Sequence, residues 1–120
     1  PLLFSRADLL LFPSLYDNFG LVKVEGAAFE TPGLFIKDSC AGYGITDGKD
    51  GFLSENDETA FAEKILKAAS DREALRAAGK AAAETQYVGW ATCADEVLKR
   101  VTEIAEEKKR EKAENKEKEK

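Results

Sequence analysis

The sequence predicts an α/β fold, a partial doubly wound, Rossmann-like parallel sheet of two to three short strands with several helices. Residues 7–12 form a short apolar run that is typical of a strand buried on both faces, and residues 33–36 predict a second short strand. A helical segment between them requires a crossover, which makes the two strands parallel. Beyond residue 57 the apolar pattern is helical throughout. Few strands followed by several helices predict the carboxyl-terminal half of a doubly wound domain.

The first half of the chain contains all the predicted strands. The strand at residues 7–12 is closed by a proline and a serine, and a short helix is expected over residues 21–29. Thr31 and Pro32 end that helix. The second strand is GLFI, residues 33–36, and a long loop rich in glycine and aspartate follows it. A brief third strand is expected at residues 51–53.

The second half is predicted to contain three helices, each with a recognisable start. Asp57 and Asp71 can cap the first two helices, because an aspartate side chain accepts hydrogen bonds from the free amides of a first helical turn. The third helix is expected to begin near Trp90. The predicted apolar stripes consist of Phe61, Ile65, Leu66 and Ala69, then Leu75, Ala78 and Ala82, then Trp90, Cys93, Val97, Val101 and Ile104.

Charge divides the chain into two predicted regions, residues 1–105 and residues 106–120. Residues 106–120 contain seven basic and six acidic residues and no large apolar side chain, so they are expected to form a solvated tail, as a helical extension or disordered. The 18 basic and 23 acidic residues of the chain then leave 11 and 17 for residues 1–105, a net charge of −6.

Composition excludes several classes of function. A net charge of −5 repels phosphate backbones, so nucleic acid is not an expected partner. The chain has no histidine, which argues against a metal site and against nucleophile pairs that use histidine. Cys40 and Cys93 are far apart and are expected to be buried, reduced thiols. No segment is apolar enough for a transmembrane span, which indicates a cytoplasmic protein. Because Pro1 is not an initiator, the chain is expected to be a fragment.

The segment with the most chemical information is residues 13–32, which places two carboxylates and a glycine around a strand-to-helix turn. In open α/β sheets, ligands bind at such turns, beyond the carboxyl ends of the strands. Amides near Gly20 could hold a diphosphate, while Asp17 and Glu25 could accept hydrogen bonds from sugar and ribose hydroxyls. On the pattern alone, an Asx turn at Asp17, a turn glycine and a solvated Glu25 are at least equally good interpretations.

The string ADLLLFPSLYDNFGLVKVEGAAFETP, followed by ITDGKDGFL, resembles the carboxyl-terminal domain of glycosyltransferase family 4, the retaining nucleotide-sugar transferases of GT-B fold. The resemblance covers residues 1–105. Asp17 and Glu25 occupy the two acid positions of the family's Glu-x7-Glu element, with an aspartate replacing the first glutamate. Glu30 replaces a glycine that usually precedes Thr-Pro, and Gly26 replaces an alanine.

The resemblance implies both a site and a role for each of its residues. Asp17 and Glu25 would be the catalytic carboxylates, with Asp17 near the donor sugar and Glu25 on the ribose. The implied donor-binding residues are Asp17, Asn18, Phe19, Gly20, Leu21, Val22 and Glu25. No cofactor and no metal are implied, since the nucleotide-sugar is a substrate.

The function implied by the resemblance is donor binding in an enzyme that moves a sugar from a UDP- or GDP-type donor to a lipid or saccharide acceptor. The amino-terminal acceptor domain would be missing, so the isolated chain is expected to be inactive, and peripheral membrane contact through that domain stays open. A non-catalytic interaction module that retains the fold is the alternative. A sugar-nucleotide epimerase of related fold is a weaker one.

Overall fold

A computed structural model describes residues 2–18 and 20–118, with the side chains of residues 116–118 left out. The chain divides into two compact units between Tyr87 and Val88. The elements are a 3-10 helix (Phe4–Arg6), β1 (Leu10–Phe12), α1 (Leu21–Ala27), β2 (Gly33–Ile36), β3 (Phe52–Ser54), α2 (Glu58–Ser70), α3 (Arg72–Thr85) and α4 (Trp90–Lys118). The first seven elements form the first unit, and α4 belongs to the second.

The three strands form one parallel sheet in the order β1-β2-β3. Leu34 of β2 lies opposite Leu11 of β1 and opposite Phe52 of β3. Helix α1 packs on β2, α2 packs on β3, and α3 packs on both helices. The predicted α/β fold with a partial parallel sheet is therefore confirmed. Because the strands are parallel, their carboxyl ends lie at one edge, where ligands bind in open sheets.

Strand β1 differs from the prediction in both length and burial. It begins at Leu10 because Ala7 is used to close the preceding 3-10 helix, where its amide donates to the carbonyl oxygens of Leu3 and Phe4. Leu11 is 45% exposed, so the expectation of a strand buried on both faces is wrong there. The physical reason is position, since β1 lies at the edge of the sheet, whereas the central strand β2 is buried at every residue.

Helix α1 ends at Ala27, two residues earlier than predicted, in a Schellman motif. The amide of Thr31 donates to the carbonyl of Gly26 at 3.0 Å, and the amide of Glu30 donates to that of Ala27 at 3.0 Å. The residue that reverses the chain is Glu30, whose φ is 56°. A glutamate thus occupies the left-handed position in which glycine is preferred.

The core lies between the sheet and the helices α2 and α3. Its buried members are Leu34, Phe52, Ala68, Leu75 and Ala78, with Leu9, Phe61 and Ile65 packed around them. The predicted stripe of α3 is confirmed, but Leu66 and Ala69 of α2 are exposed. Ala68 faces the core instead, because the position of α2 against β3 sets which side of the helix is covered.

Both predicted aspartate caps are confirmed. The Asp57 side chain accepts from the amide of Ala60 at 2.8 Å, and Asp71 accepts from the amides of Glu73 and Ala74 at 3.1 and 2.9 Å. Each bond satisfies an amide that has no partner within its own helix.

The second unit contains α4, a continuous helix of 29 residues from Trp90 to Lys118. Helix therefore extends into the charged segment after residue 105, and the proposed domain boundary there stays a prediction. Cys40 is exposed and Cys93 is half-buried, and both are free thiols. The expectation of buried cysteines is wrong for Cys40 because it lies in the loop after β2 and not in the strand. Among the described residues, no helix is long and apolar enough to cross a membrane.

Candidate functional site

The predicted site residues lie on the connection from β1 to α1 and on the first turns of α1, next to the carboxyl edge of the sheet. Asp17, Asn18 and Gly20 belong to the connection, while Leu21 and Val22 begin the helix. Phe19, the remaining predicted residue of this segment, lies outside the described residues. The amides of a first helical turn have no partner within the helix, so they can donate to a ligand.

Gly20 is confined by both its conformation and its neighbour. Its φ is 66°, which is the left-handed region, and it caps α1 without a side-chain hydrogen bond. A Cβ built on Gly20 would lie 3.2 Å from both Cα and Cβ of Ala41. The loop after β2 therefore runs directly against this turn. Space on the Cβ side of Gly20 is filled by protein, so glycine is needed here for the turn and for packing.

The two predicted carboxylates have different surroundings. Asp17 is half-buried, and its Oδ2 lies 3.7 Å from the position of a Cβ on Gly20. Glu25 is exposed and lines a largely apolar cavity of about 300 Å³ together with Phe4, Phe29 and other residues of the first unit. Within residues 2–18 and 20–115, no hydrogen bond or ion pair engages either carboxylate. Both are therefore able to accept hydrogen bonds from hydroxyl groups.

A larger crevice of about 640 Å³ opens at the carboxyl edge itself. It is lined by Pro13 after β1, Ile36 at the end of β2, Asn56 after β3 and residues 57, 58 and 61 of the α2 region. Asn56 and the start of α2 are not among the site residues predicted from the sequence, which lie on the β1–α1 turn and the first turns of α1. Asp57 was predicted from the sequence as the cap of a helix. That it lines the same crevice as Pro13 could not be predicted, because this depends on the order of the strands in the sheet.

Two lysines near this edge were also missed. The Nζ of Lys23 on α1 donates to the carbonyl oxygen of Tyr43 at 2.8 Å, and partial burial lowers the pKa of Lys23 while the Asp50 carboxylate acts in the opposite direction. Lys37 follows β2 and pairs with Glu55 at 3.1 Å, and this hydrogen bond raises the pKa of Lys37. In the sequence, Lys23 could be noticed only as a lysine that interrupts the apolar pattern of α1.

The loop between β2 and β3 is fixed by two aspartates with structural roles. The carboxylate of Asp50 is buried, and it accepts from the amide of Thr46 at 2.8 Å and from the hydroxyl of Thr85 at 2.9 Å. Asp47 accepts from the amide of Leu53 at 2.9 Å and pairs with Lys64 at 2.6 Å. In the described part of the chain, no three acidic, cysteine or histidine residues are grouped as metal ligands.

Comparisons with known proteins place these features in one family. The family model described as "Glycosyl transferases group 1" matches residues 1–85, which include the whole sheet and the β1–α1 turn. D-inositol 3-phosphate glycosyltransferase of Streptomyces avermitilis is 36% identical over 93 residues, covering 76% of this chain and 20% of that protein. The protein of the same name from Nocardia farcinica is 34% identical over 97 residues, covering 79% of this chain and 22% of that protein. The chain thus spans about a fifth of the length of these relatives.

Solved structures give the same result for the fold. Sucrose-phosphate synthase from Thermosynechococcus elongatus matches with a TM-score of 0.74 and 25% identity, over 85% of this chain and 26% of that one. Anabaena HepE, solved in complex with UDP and glucose, matches with a TM-score of 0.72 and 22% identity, over 84% of this chain and 29% of that one. The sheet and helices are those of part of a GT-B glycosyltransferase. Since the family model matches well over half of the residues, the chain belongs to the glycosyl transferases group 1 family.

Proposed function

We propose that this chain is the donor-binding portion of a retaining glycosyltransferase of family 4, which transfers a sugar from a UDP- or GDP-type nucleotide-sugar to a lipid or saccharide acceptor. The observation that carries the proposal is the match of the family model to the entire parallel sheet and β1–α1 turn. One structural neighbour was solved with UDP and glucose, which supports a nucleotide-sugar as the ligand class. The whole protein would be cytoplasmic.

In the proposed site the donor lies across the carboxyl edge of the sheet. The backbone from Asn18 to Val22, including Phe19, would hold the diphosphate and sugar through amide donors. Asp17 would accept hydrogen bonds from the donor sugar, and Glu25 from the ribose. These two carboxylates are proposed as the catalytic pair, with no metal or cofactor.

Catalysis would depend on electrostatic stabilisation of the leaving diphosphate. The net charge of −6 over residues 1–105 opposes a diphosphate, so positive groups outside this region would have to assist. We therefore propose that an acceptor domain outside these residues completes the enzyme and that the 120-residue chain alone is inactive. Residues 1–105 would form the folded donor domain, with residues 106–120 as its charged tail.

The test is a titration of the chain with UDP, UDP-glucose, GDP and GDP-mannose, followed by the shifts of backbone amide resonances. Shifts that saturate around residues 18–25, with one base preferred, are the expected result. Glu25→Ala should weaken them, whereas Glu84→Ala, which removes a carboxylate from the exposed side of α3, should not. The full-length protein is titrated in parallel, because the proposal expects positive groups outside residues 1–105 to strengthen binding.

The outcomes separate the proposal from its alternative. A folded full-length protein that binds none of the four nucleotides would contradict the donor site and favour a non-catalytic interaction module. Binding by the full-length protein together with weak or absent binding by the chain would support the site and show that the missing cations are needed.

A further inference from the structure

Lys23 joins two segments that border the β1–α1 turn. Its amide donates to the carbonyl of Gly20 at 2.8 Å within the first turn of α1. Its ammonium donates to the carbonyl oxygen of Tyr43 at 2.8 Å, twenty residues later in the chain. The side chain therefore links the start of α1 to the loop between β2 and β3.

The ammonium of Lys23 is partly withdrawn from water, which indicates that it has a defined position. The side chain is half-buried, and withdrawal from water lowers its pKa. The carboxylate of Asp50, which is 4% exposed, offsets part of that effect by its charge. A surface lysine normally extends its charge into water, so a partly desolvated ammonium directed at a backbone carbonyl is a specific contact.

The loop between β2 and β3 has a fixed inner part, residues 39–42, and an open outer part, residues 43 and 44. In the inner part, the buried hydroxyl of Ser39 donates to the carbonyl of Ile36 at 2.6 Å and accepts from the amide of Gly42 at 3.0 Å. In the outer part, Tyr43 is 84% exposed, and the space where Gly44 would carry a Cβ is empty within 4 Å. Among the described residues, Lys23 is the side chain that ties this outer part to another element.

We propose that Lys23 is a positioning residue of the nucleotide-sugar site, holding the loop of residues 40–45 against the turn at Gly20 so that the loop forms one wall of that site. This inference rests on the proposed function. The loop already meets the turn, because Ala41 lies against Gly20. The contact from Lys23 to Tyr43 extends that wall beyond Ala41. Lys23 acts through Tyr43 and does not itself touch the ligand.

The experiment compares Lys23→Met, which keeps the stem and removes the ammonium, with Lys23→Arg and Lys49→Met. Lys49 is an exposed lysine of the same β2–β3 connection but lies outside residues 40–45, so its variant removes a positive charge without the contact to Tyr43. Two quantities are measured in the chain and the full-length protein. They are the hydrogen exchange rate of the Ile45 amide without ligand, and the Kd for UDP or GDP, whichever binds.

Lys23→Met is expected to raise the exchange rate about fivefold, the effect of losing one hydrogen bond at a partly exposed site. The Kd should rise by about twofold to fivefold, because only the fraction of molecules with the loop held in place binds the nucleotide. Lys23→Arg should restore most of both quantities, and Lys49→Met should change each by less than about twofold. Rescue by arginine distinguishes a held loop from a general loss of packing.

Each other result overturns the inference in an identifiable way. An unchanged exchange rate with a raised Kd would mean that the ammonium acts on the ligand directly. A faster exchange with an unchanged Kd would mean that the contact is structural only. If the wild-type proteins bind neither nucleotide, the proposed function itself fails, and this inference fails with it.

Discussion

Replacing Glu30 by glycine is expected to stabilise the protein, although glycine substitutions in most places do the opposite. Glu30 occupies the left-handed position of the Schellman motif at the end of α1, with a φ of 56°. The position is firmly determined, because a Cβ on Gly79 of α3 would lie 2.0 Å from the carbonyl oxygen of Glu30. The backbone at this point is thus packed against a neighbouring helix and cannot relax to a negative φ without moving α3.

The size of the effect follows from two opposing terms. For a residue with a Cβ, the left-handed backbone conformation is about 1–2 kcal/mol less favourable than a right-handed one. Glycine avoids that cost but loses about 0.5–1 kcal/mol more backbone entropy on folding. The net expected gain in the free energy of unfolding is about 0.5–1 kcal/mol, which raises the Tm of a domain of this size by about 2–8 °C.

The assay is urea unfolding followed by circular dichroism, with thermal unfolding as a second measurement. Glu30→Ala is the matched control, because it removes the carboxylate and keeps the strained Cβ. Glu30 lines a small cavity together with Arg72 and Arg76, so the contribution of its carboxylate has to be measured separately. Glu30→Ala should stay within about 0.5 kcal/mol of wild type, as is usual for an exposed side chain. If Glu30→Gly were no more stable than Glu30→Ala, the strain reasoning would be refuted.

Substitutions at three further positions test other contacts, all by urea unfolding. Gly20→Ala should lower the free energy of unfolding by about 1–3 kcal/mol, because an L residue there is strained at positive φ and its Cβ would be crowded by Ala41. An unchanged free energy of unfolding would mean that this turn relaxes freely. Asp71→Ala should cost about 1 kcal/mol through loss of the α3 cap, and Asp71→Ser should recover most of it. Although burial acts to raise it, hydrogen bonds from Lys64 and a backbone amide hold the pKa of Asp47 below its ordinary value. The stabilisation by the charged Asp47 carboxylate is therefore present above the ordinary aspartate pKa of about 4 and is lost as pH falls through the lower pKa of the folded state. Asp47→Asn should be destabilising at pH 6, and this destabilisation should shrink as the pH is lowered below about 4, whereas a constant difference would contradict the assignment.

The candidate site was predictable only in part. The β1–α1 turn was identified from residues close together in the sequence, and the structure places Gly20 in that turn, in the left-handed region with a φ of 66°. The contact of Ala41 with Gly20 and the link from Lys23 to Tyr43 could not be predicted, because each joins residues about twenty positions apart. The roles of Asp17 and Glu25 remain predictions until a donor titration is made.

The sequence by itself determined the class of fold, the bounds of β2 and the starts of α2 and α3. These features depend on signals that act within a few residues, such as an apolar run between a proline and a polar loop, or an aspartate whose side chain reaches an amide two or three positions away. The tertiary structure alone decided that Leu66 faces outward, that Leu11 lies at an open edge and that Cys40 is exposed. The burial of a side chain depends on which distant segments cover it, and that information lies in the packing of the sheet and helices.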